Sequence, residues 1–383
     1  STVDFMRQIW ARVNWPSISI GTIGMRGDSM NAPDKPMTDN VQLTTPDSVN
    51  LHASIAAVAK RGVTHLALEA SSHGLQQHRL DGLNIHVAGF TNLSRDHLDH
   101  HKNMDDYFAA KLRLFENLLI EGGGAVINID DAHGKKIVKR LRDRPIVVKT
   151  YGTSSAADFY IKDITTTDFG LNLNVVYQEK TWHIPLALAG TFQAMNAVAA
   201  AIVCHLSGLP LHDSLGSLAY LKSVPGRMQI VHGHPENAQI IVDYAHTPDA
   251  LAAALAALRP GATGKLAVLF GCGGDRDKGK RAQMGQIAST GADQIFITDD
   301  NPRTEDAASI RAAIISACPD AIEIASRDKA IAVALSSIRS GDVLLIAGKG
   351  HETVQLVGSE SLPFDDAAIA SHLMMQMQKE AVQ

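Results

Sequence analysis

Glu69, His97 and Lys111 are residue types that could gather around a divalent cation, except that one of them carries the wrong charge. Glu69 closes the apolar run of THLALEASSHGL, where an isolated carboxylate is costly unless something positive or hydrogen-bonding meets it. His97 lies in SRDHLDHH, just past a second apolar run, IHVAGF. Lys111 lies in MDDYFAAKLRLFENLL. At a helical step of about 100° per residue, Tyr107, Phe108, Leu112, Leu114, Phe115, Leu118 and Leu119 fall on one apolar arc. Asp105, Asp106, Arg113, Glu116 and Asn117 fall opposite, and Lys111 lands inside the apolar arc. An ammonium repels a metal ion, but a lysine in apolar surroundings loses its proton more readily. The neutral amine can then add carbon dioxide to give a carbamate, an anion with two oxygen donors. Beside Glu69 and His97 it would suit magnesium, which takes hard oxygen ligands. The competing reading leaves Lys111 unmodified, its ammonium running along the helix flank to water, with Asp96, His97 and Asp99 capping the next helix.

Other polar groups cluster in short stretches. TTPDS (Thr44–Ser48) and SSHGLQQHR (Ser71–Arg79) offer hydroxyls, amides and one guanidinium, suited either to a polar, carboxylate-bearing ligand or to turns and caps. DDNPR contains an arginine whose planar fork can grip a carboxylate in two places; read alone, it is an Asn-Pro turn. GCGGDRDKGKR is glycine-rich and basic without being a Walker A sequence, so by itself it is weak support for phosphate binding.

These stretches need elements to position them. The chain has 383 residues, enough for two or three domains, with 45% hydrophobic and 20% charged residues. A net charge of −5 gives no reason to expect nucleic acid. Cys204, Cys272 and Cys318 are too scattered for a disulfide frame, which suits the cytoplasm. No apolar run is long enough to span a bilayer and none reads as a secretory signal. Short β-branched runs alternate with alanine-rich stretches, which predicts an α/β fold with a largely parallel sheet. Residues 145–182 read as β hairpins and Gln193–Leu206 as a helix. Pro225 and Gly226 mark the domain boundary, giving 1–225 and 226–383. Beyond it four apolar runs, AQIIV, KLAVLF, QIFIT and DVLLIA, each end in a dense polar loop: DYAHTPD, GCGGDRDKGKR, DDNPRTED and GKGHE. Open α/β sheets bind ligands at the carboxyl ends of their strands, so four such loops predict one site.

LEASSHGL, TNLSRDHLDHH, YFAAKLRLF, VPGRM, DYAHTPD, GCGGDRDKGKR, DDNPR and AGKGHE, in this order, resemble the Mur ligases of peptidoglycan synthesis, specifically the branch that adds diaminopimelate. The resemblance covers essentially the whole chain. It implies an α/β fold with a central parallel-sheet, ATPase-type domain and a Rossmann-like C-terminal domain. It also implies ATP-dependent amide formation between UDP-MurNAc-L-Ala-D-Glu and meso-diaminopimelate by a cytoplasmic monomer. Magnesium would be held by Glu69, His97 and carbamylated Lys111, which make up the catalytic set. Thr44, Thr45, Ser71, Gln77 and Arg79 would contact the muramoyl peptide. Arg276, Asp300, Asn301, Pro302, Arg303, Gly348 and Glu352 would line the amino-acid site, with Asp300 or Glu352 receiving an ammonium. Asn196, Arg227, Asp243 and His246 would meet ATP, although Gln193 stands where the family more often has asparagine, and Arg227 reads equally as a linker residue.

The family pattern places a GTNGKT phosphate loop just before a helix like STVDFMRQIW, with a uridine-nucleotide domain ahead of it. The chain begins at Ser1 of that helix, without methionine, and is therefore expected to be a fragment of a complete ligase. The rival expectations are a shortened, non-catalytic binding protein, a lysine-adding ligase and a folylpolyglutamate-type ligase. DNPR argues against the lysine-adding ligase, since lysine has no distal carboxylate to grip, and the muramoyl-site motifs argue against the folylpolyglutamate type.

Overall fold

The computed structural model describes residues 1–27, 43–93, 100–167 and 170–381. They form two compact units. One comprises Ser1–Thr165, Leu171–Ala187 and Phe192–Leu221; the other runs from Lys222 onward and includes the short segments Thr166–Gly170 and Leu188–Thr191.

The first unit carries two sheets. Strands β1 (Ser17–Gly21), β2 (Gly24–Gly27) and β3 (His65–Leu68) form a small sheet in the order β2-β1-β3. β1 and β3 run parallel with Ile20 opposite Leu68, so Gly21 and Glu69 leave the sheet side by side. Ile18, Ile20, Leu51 and Leu75, all nearly inaccessible, pack beneath it. The second sheet holds β4 (Ile85–Phe90), β5 (Leu119–Asn128), β6 (Val147–Gly152), β7 (Phe159–Thr167), β8 (Gly170–Tyr177) and β9 (Lys180–Leu186), in sequence order. β4 to β7 pair in parallel, and β8 and β9 form an antiparallel hairpin. The composition explains the change. Ala125–Asn128 are buried on both faces, as a parallel strand requires. In β8, Leu171, Leu173 and Val175 are buried and alternate with more exposed residues, the pattern of a sheet with one wet face.

Two expectations need correction. Residues 145–182 are not hairpins throughout: β6 and β7 pair in parallel, and the antiparallel hairpin is β8 with β9. The helix bearing Lys111 spans Met104–Arg113, started by Asn103, whose side chain caps the N–H of Asp106. It does not run on to Leu119. Leu114–Leu118 form a wider π turn, and Leu119 already opens β5. The wider turn keeps Phe115 and Leu118 in the core while the chain swings into the sheet.

The second unit is an open, doubly covered sheet. β10 (Gln229–Val231), β11 (Gln239–Asp243), β12 (Leu266–Phe270), β13 (Gln294–Ile297), β14 (Ile322–Glu323) and β15 (Val343–Ala347) lie in the order β10-β11-β15-β12-β13-β14. Only β10 is antiparallel to its neighbour. Val268 and Phe270 face one apolar layer, with Leu251 and Met284, whereas Ala267 and Leu269 face the other, with Ile331 and Leu335. Burying each such leucine or isoleucine contributes roughly 1.5–3 kcal/mol. Because β11, β12, β13 and β15 are parallel, their four polar loops share one edge. A separate hairpin, β16 (Val354–Val357) with β17 (Glu360–Pro363), follows the last of them. Among the described residues no helix is long and apolar enough to cross a membrane.

Candidate functional site

In the first unit the polar residues converge where β1 and β3 end. A Cβ on Gly21 would lie 2.5 Å from the carboxyl carbon of Glu69, so only glycine lets that side chain cross the strand end. Glu69 Oε2 accepts the Thr22 N–H at 3.0 Å and the Thr22 hydroxyl at 2.8 Å. The hydroxyls of Thr22 and Thr44 lie 3.2 Å apart. Thr45, fully buried, donates its hydroxyl to the Glu69 carbonyl at 2.7 Å and accepts the Ser71 N–H at 3.0 Å. Ser71 caps the short helix Ser72–Gln76 through Gly74 N–H. Arg79 donates to the Thr45 carbonyl at 2.8 Å and to the Gln77 side chain. The structure therefore brings Thr44, Thr45, Glu69, Ser71, Gln77 and Arg79 together. Ser71 also performs the capping role that its sequence allowed.

Lys111 is half-buried, its Nζ 5.4 Å from the centre of the Tyr107 ring. A π-face at this range steadies an ammonium. Tyr107 in turn stacks on His101, which is buried and lies 2.9 Å from the Ser72 hydroxyl. His97 lies outside the described residues. Among those described, no group of three histidine, cysteine or acidic side chains could hold a metal ion. The Glu69 carboxylate and the Thr22 and Thr44 hydroxyls are hard oxygen donors of the kind magnesium takes. Lys111 joins such a set only as an anion.

Asn196 belongs to the first unit. It accepts from the Thr2 hydroxyl at 3.3 Å and donates to Gln193 at 3.2 Å.

In the second unit the four strand-end loops interlock. Met228 N–H donates to Asp243 Oδ2 at 2.7 Å; burial pushes the Asp243 carboxyl up, opposed by that bond and by Arg227. The Arg227 guanidinium stands 4.9 Å from the Tyr244 ring, which also meets His246 and His351. Lys280 donates to the His246 carbonyl at 2.8 Å. Gly226, at φ +63°, lies so close to the GKGHE loop that a Cβ would be 2.1 Å from His351 N. Arg227, Asp243 and His246 are thus neighbours around Tyr244.

The DDNPR loop sits on the glycine-rich one. Gly274 N–H donates to the Asn301 carbonyl, and a Cβ on Gly274 would lie 1.9 Å from the Pro302 carbonyl oxygen. Arg303, in the left-handed region at φ +52°, donates through Nη1 to the Gly274 and Asn301 carbonyls at 2.9 and 3.4 Å. Its Nε and Nη2 have no partner among the described residues, which leaves one edge of the fork for a ligand. Arg276 is exposed on the neighbouring loop. Asp300 is 8% exposed, and burial pushes its carboxyl up against the pull of Arg327 and Lys349. Gly348, at φ +110°, leaves room for it: a Cβ there would be 2.7 Å from Asp300 Oδ2. Glu352 Oε2 accepts from Asn301 Nδ2 at 2.8 Å.

Several residues here escaped the sequence reading. Lys349 is fully buried and pairs with Glu352 at 3.2 Å; its only signal was its place inside GKGHE. Arg327 and Asp366, both fully buried, form a two-bond ion pair at 2.7 and 2.8 Å, and Arg327 also donates to the Ala347 carbonyl just before Gly348. Glu305 ties the glycine-rich loop to the DDNPR loop through Arg281 and Asp275 N–H, which pull its carboxyl down to about 2.

The family model described as the Mur ligase middle domain matches residues 1–204, and the Mur ligase glutamate ligase domain matches 226–350. A protein of Brucella melitensis named UDP-N-acetylmuramoyl-L-alanyl-D-glutamate–2,6-diaminopimelate ligase is 43% identical over 99% of this chain and 76% of its own length. A protein of Bradyrhizobium diazoefficiens with the same name is 45% identical over 97% of this chain and 77% of its own. A solved structure of a ligase of that name superposes with a TM-score of 0.72 at 35% identity, covering 98% of this chain and 76% of that one. Mycobacterium tuberculosis folylpolyglutamate synthase shares the fold, with a TM-score of 0.66 at 16% identity over 91% of this chain and 84% of its own. With both domain models matched in order, and relatives this similar along nearly all of its length, the chain belongs to the Mur ligase family.

Proposed function

We propose that the ligase to which this chain belongs carries out the ATP-dependent joining of meso-2,6-diaminopimelate to UDP-MurNAc-L-Ala-D-Glu, a step of peptidoglycan synthesis. The observation that carries this reading is the 43–45% identity, along nearly the whole chain, to relatives named for that reaction. We place the domain division at Pro225/Gly226, which the positions of the two family models support.

The γ-carboxylate of the D-glutamate attacks the γ-phosphorus of ATP, giving an acyl phosphate and ADP. An amine of diaminopimelate then attacks the acyl carbon and expels inorganic phosphate, leaving the amide and a proton. Thr44, Ser71, Gln77 and Arg79 are assigned to the muramoyl peptide, with Thr45, fully buried, bracing Glu69 and Ser71 rather than touching the ligand; Arg227, Asp243 and His246, and separately Asn196, are assigned to the nucleotide. Arg303, oriented by two carbonyls, grips the distal carboxylate that distinguishes diaminopimelate from lysine. Arg276, Asn301, Pro302, Gly348 and Glu352 complete that pocket, with Asp300 facing an ammonium. Magnesium, when bound, supplies electrostatic stabilisation of charge on the phosphoryl oxygens. Glu69, His97 and a carbamylated Lys111 would hold it, a set supported by the oxygen donors around Glu69.

We read the enzyme as a cytoplasmic monomer. Its three cysteines, all buried and unpaired, support a reducing compartment.

Phosphate release in the presence of ATP, UDP-MurNAc-L-Ala-D-Glu and diaminopimelate tests the reaction. Turnover with all three, lost when any one is omitted, is expected. Diaminopimelate binding without turnover would favour a binding protein instead.

A further inference from the structure

Lys349 is a fully buried cation in the middle of the amino-acid pocket, and neither its position in sequence nor the proposed reaction gives it a task. Its ammonium has three hydrogens and three acceptors: Asn301 Oδ1 at 2.9 Å, Glu352 Oε2 at 3.2 Å and the Val354 carbonyl at 2.7 Å. Nothing is left over for a substrate. Burying an ammonium is expensive, and such groups are commonly kept for the arrangement they impose rather than for net stability.

The arrangement is legible atom by atom. Asn301 Oδ1 accepts from Lys349 and from Leu356 N–H at 3.0 Å, so the amide cannot flip without setting its NH2 against two donors. Its Nδ2 then gives one hydrogen to Glu352 Oε2 and retains a second. Glu352 Oε2 takes both Asn301 and Lys349, which leaves Oε1 without a partner among the described residues. β16 clamps the same loop: Arg303 N–H donates to the Leu356 carbonyl and Gly358 N–H to the Arg303 carbonyl. One spare N–H and one spare carboxylate oxygen therefore belong to two groups already bonded to each other at 2.8 Å, a matched pair for the carboxylate and ammonium of one amino-acid end.

We propose that Lys349 is a positioning residue for the amino-acid substrate, locking Asn301 and Glu352 into the orientation that presents this donor–acceptor pair. The inference rests on the diaminopimelate reading above. It is tested on the full chain with Lys349→Met, which removes all three donors, and Lys349→Gln, which keeps two donors without the buried charge. Calorimetric titration with meso-diaminopimelate is expected to show binding at least about tenfold weaker in both, the loss of a charge-assisted bond. In steady state KM for diaminopimelate rises, while KM for ATP and kcat at saturating diaminopimelate stay within about twofold. If Lys349→Met does not fold, Lys349→Gln decides. Variants that unfold at lower temperature yet bind diaminopimelate like the wild type overturn the inference alone. A wild-type chain that fails to bind diaminopimelate overturns the substrate reading and the inference with it.

Discussion

The two polar clusters hold charge in opposite ways. Around Glu69 the hydrogen-bond partners are hydroxyls and backbone, and Lys111 lies near an aromatic ring. In the second unit the partners are themselves charged: buried Lys349 pairs with the partly exposed Glu352 beside Asn301, and buried Arg327 pairs with buried Asp366. The first arrangement leaves oxygen donors available to a cation and depends on a ligand to complete it. The second draws most of its bonds from the protein itself, with Arg303 Nη1, Asn301 Oδ1 and Glu352 Oε2 already committed. A site that must exchange a metal-bound nucleotide gains from loosely held oxygens. A site that must tell one amino acid from another gains from rigid ones, because a rigid partner left unpaired by the wrong substrate is costly.

Breaking the rigid cluster should give the largest effect. Asp366→Ala leaves the Arg327 guanidinium buried without its carboxylate and is expected to destabilise the fold by about 3–5 kcal/mol, measured by denaturant unfolding. A loss below about 1 kcal/mol, the scale of a surface pair, would show that the buried pair contributes no more than an exposed one.

At the other cluster, Lys111→Met is expected to lower turnover by about 10²–10³-fold while leaving calorimetric diaminopimelate binding intact. Added bicarbonate should stimulate wild-type turnover and have no effect on the variant. Retention of full activity in Lys111→Met would remove the carbamate from the scheme.

Arg303→Ala sharpens the contrast within the second cluster. Diaminopimelate binding should fall by about 10²-fold, whereas the already weak binding of lysine should barely change. Equal losses for both amino acids would reject the carboxylate grip.

The smallest effect concerns pH. Arg281 and Asp275 N–H hold the Glu305 carboxyl at about 2, below its ordinary 4.5. A carboxyl lowered on folding contributes stability that is complete above its unfolded value and is lost as pH falls through the folded one. Thermal unfolding of Glu305→Gln should therefore converge on the wild type between about pH 4.5 and 2 and lie below it at neutral pH. Parallel curves across that range would assign Glu305 no such role.

Much of the second unit could be read along the chain. Four apolar runs ending in polar loops describe parallel strands with their carboxyl ends together, and β11, β12, β13 and β15 have that arrangement. The place of Lys111 among apolar residues of its helix was also visible, since helical periodicity is local, and the side chain is half-buried beside Tyr107. The end of its helix was not: Leu118 and Leu119 continue the apolar arc, and only the need to enter β5 turns the backbone into a π turn at Leu114. Arg327 and Asp366 were invisible because 39 residues separate them, as 48 separate Lys349 from Asn301. In sequence each is indistinguishable from an ordinary surface charge.

By itself the sequence determined which segments are strands, which loops are polar, and which family supplies the chemistry, because hydrophobic period and motif order are properties of neighbouring residues. The tertiary structure alone decided which charges are buried and with whom they pair. That choice depends on distance in space and on the exclusion of water, and neither is written between residues dozens of positions apart.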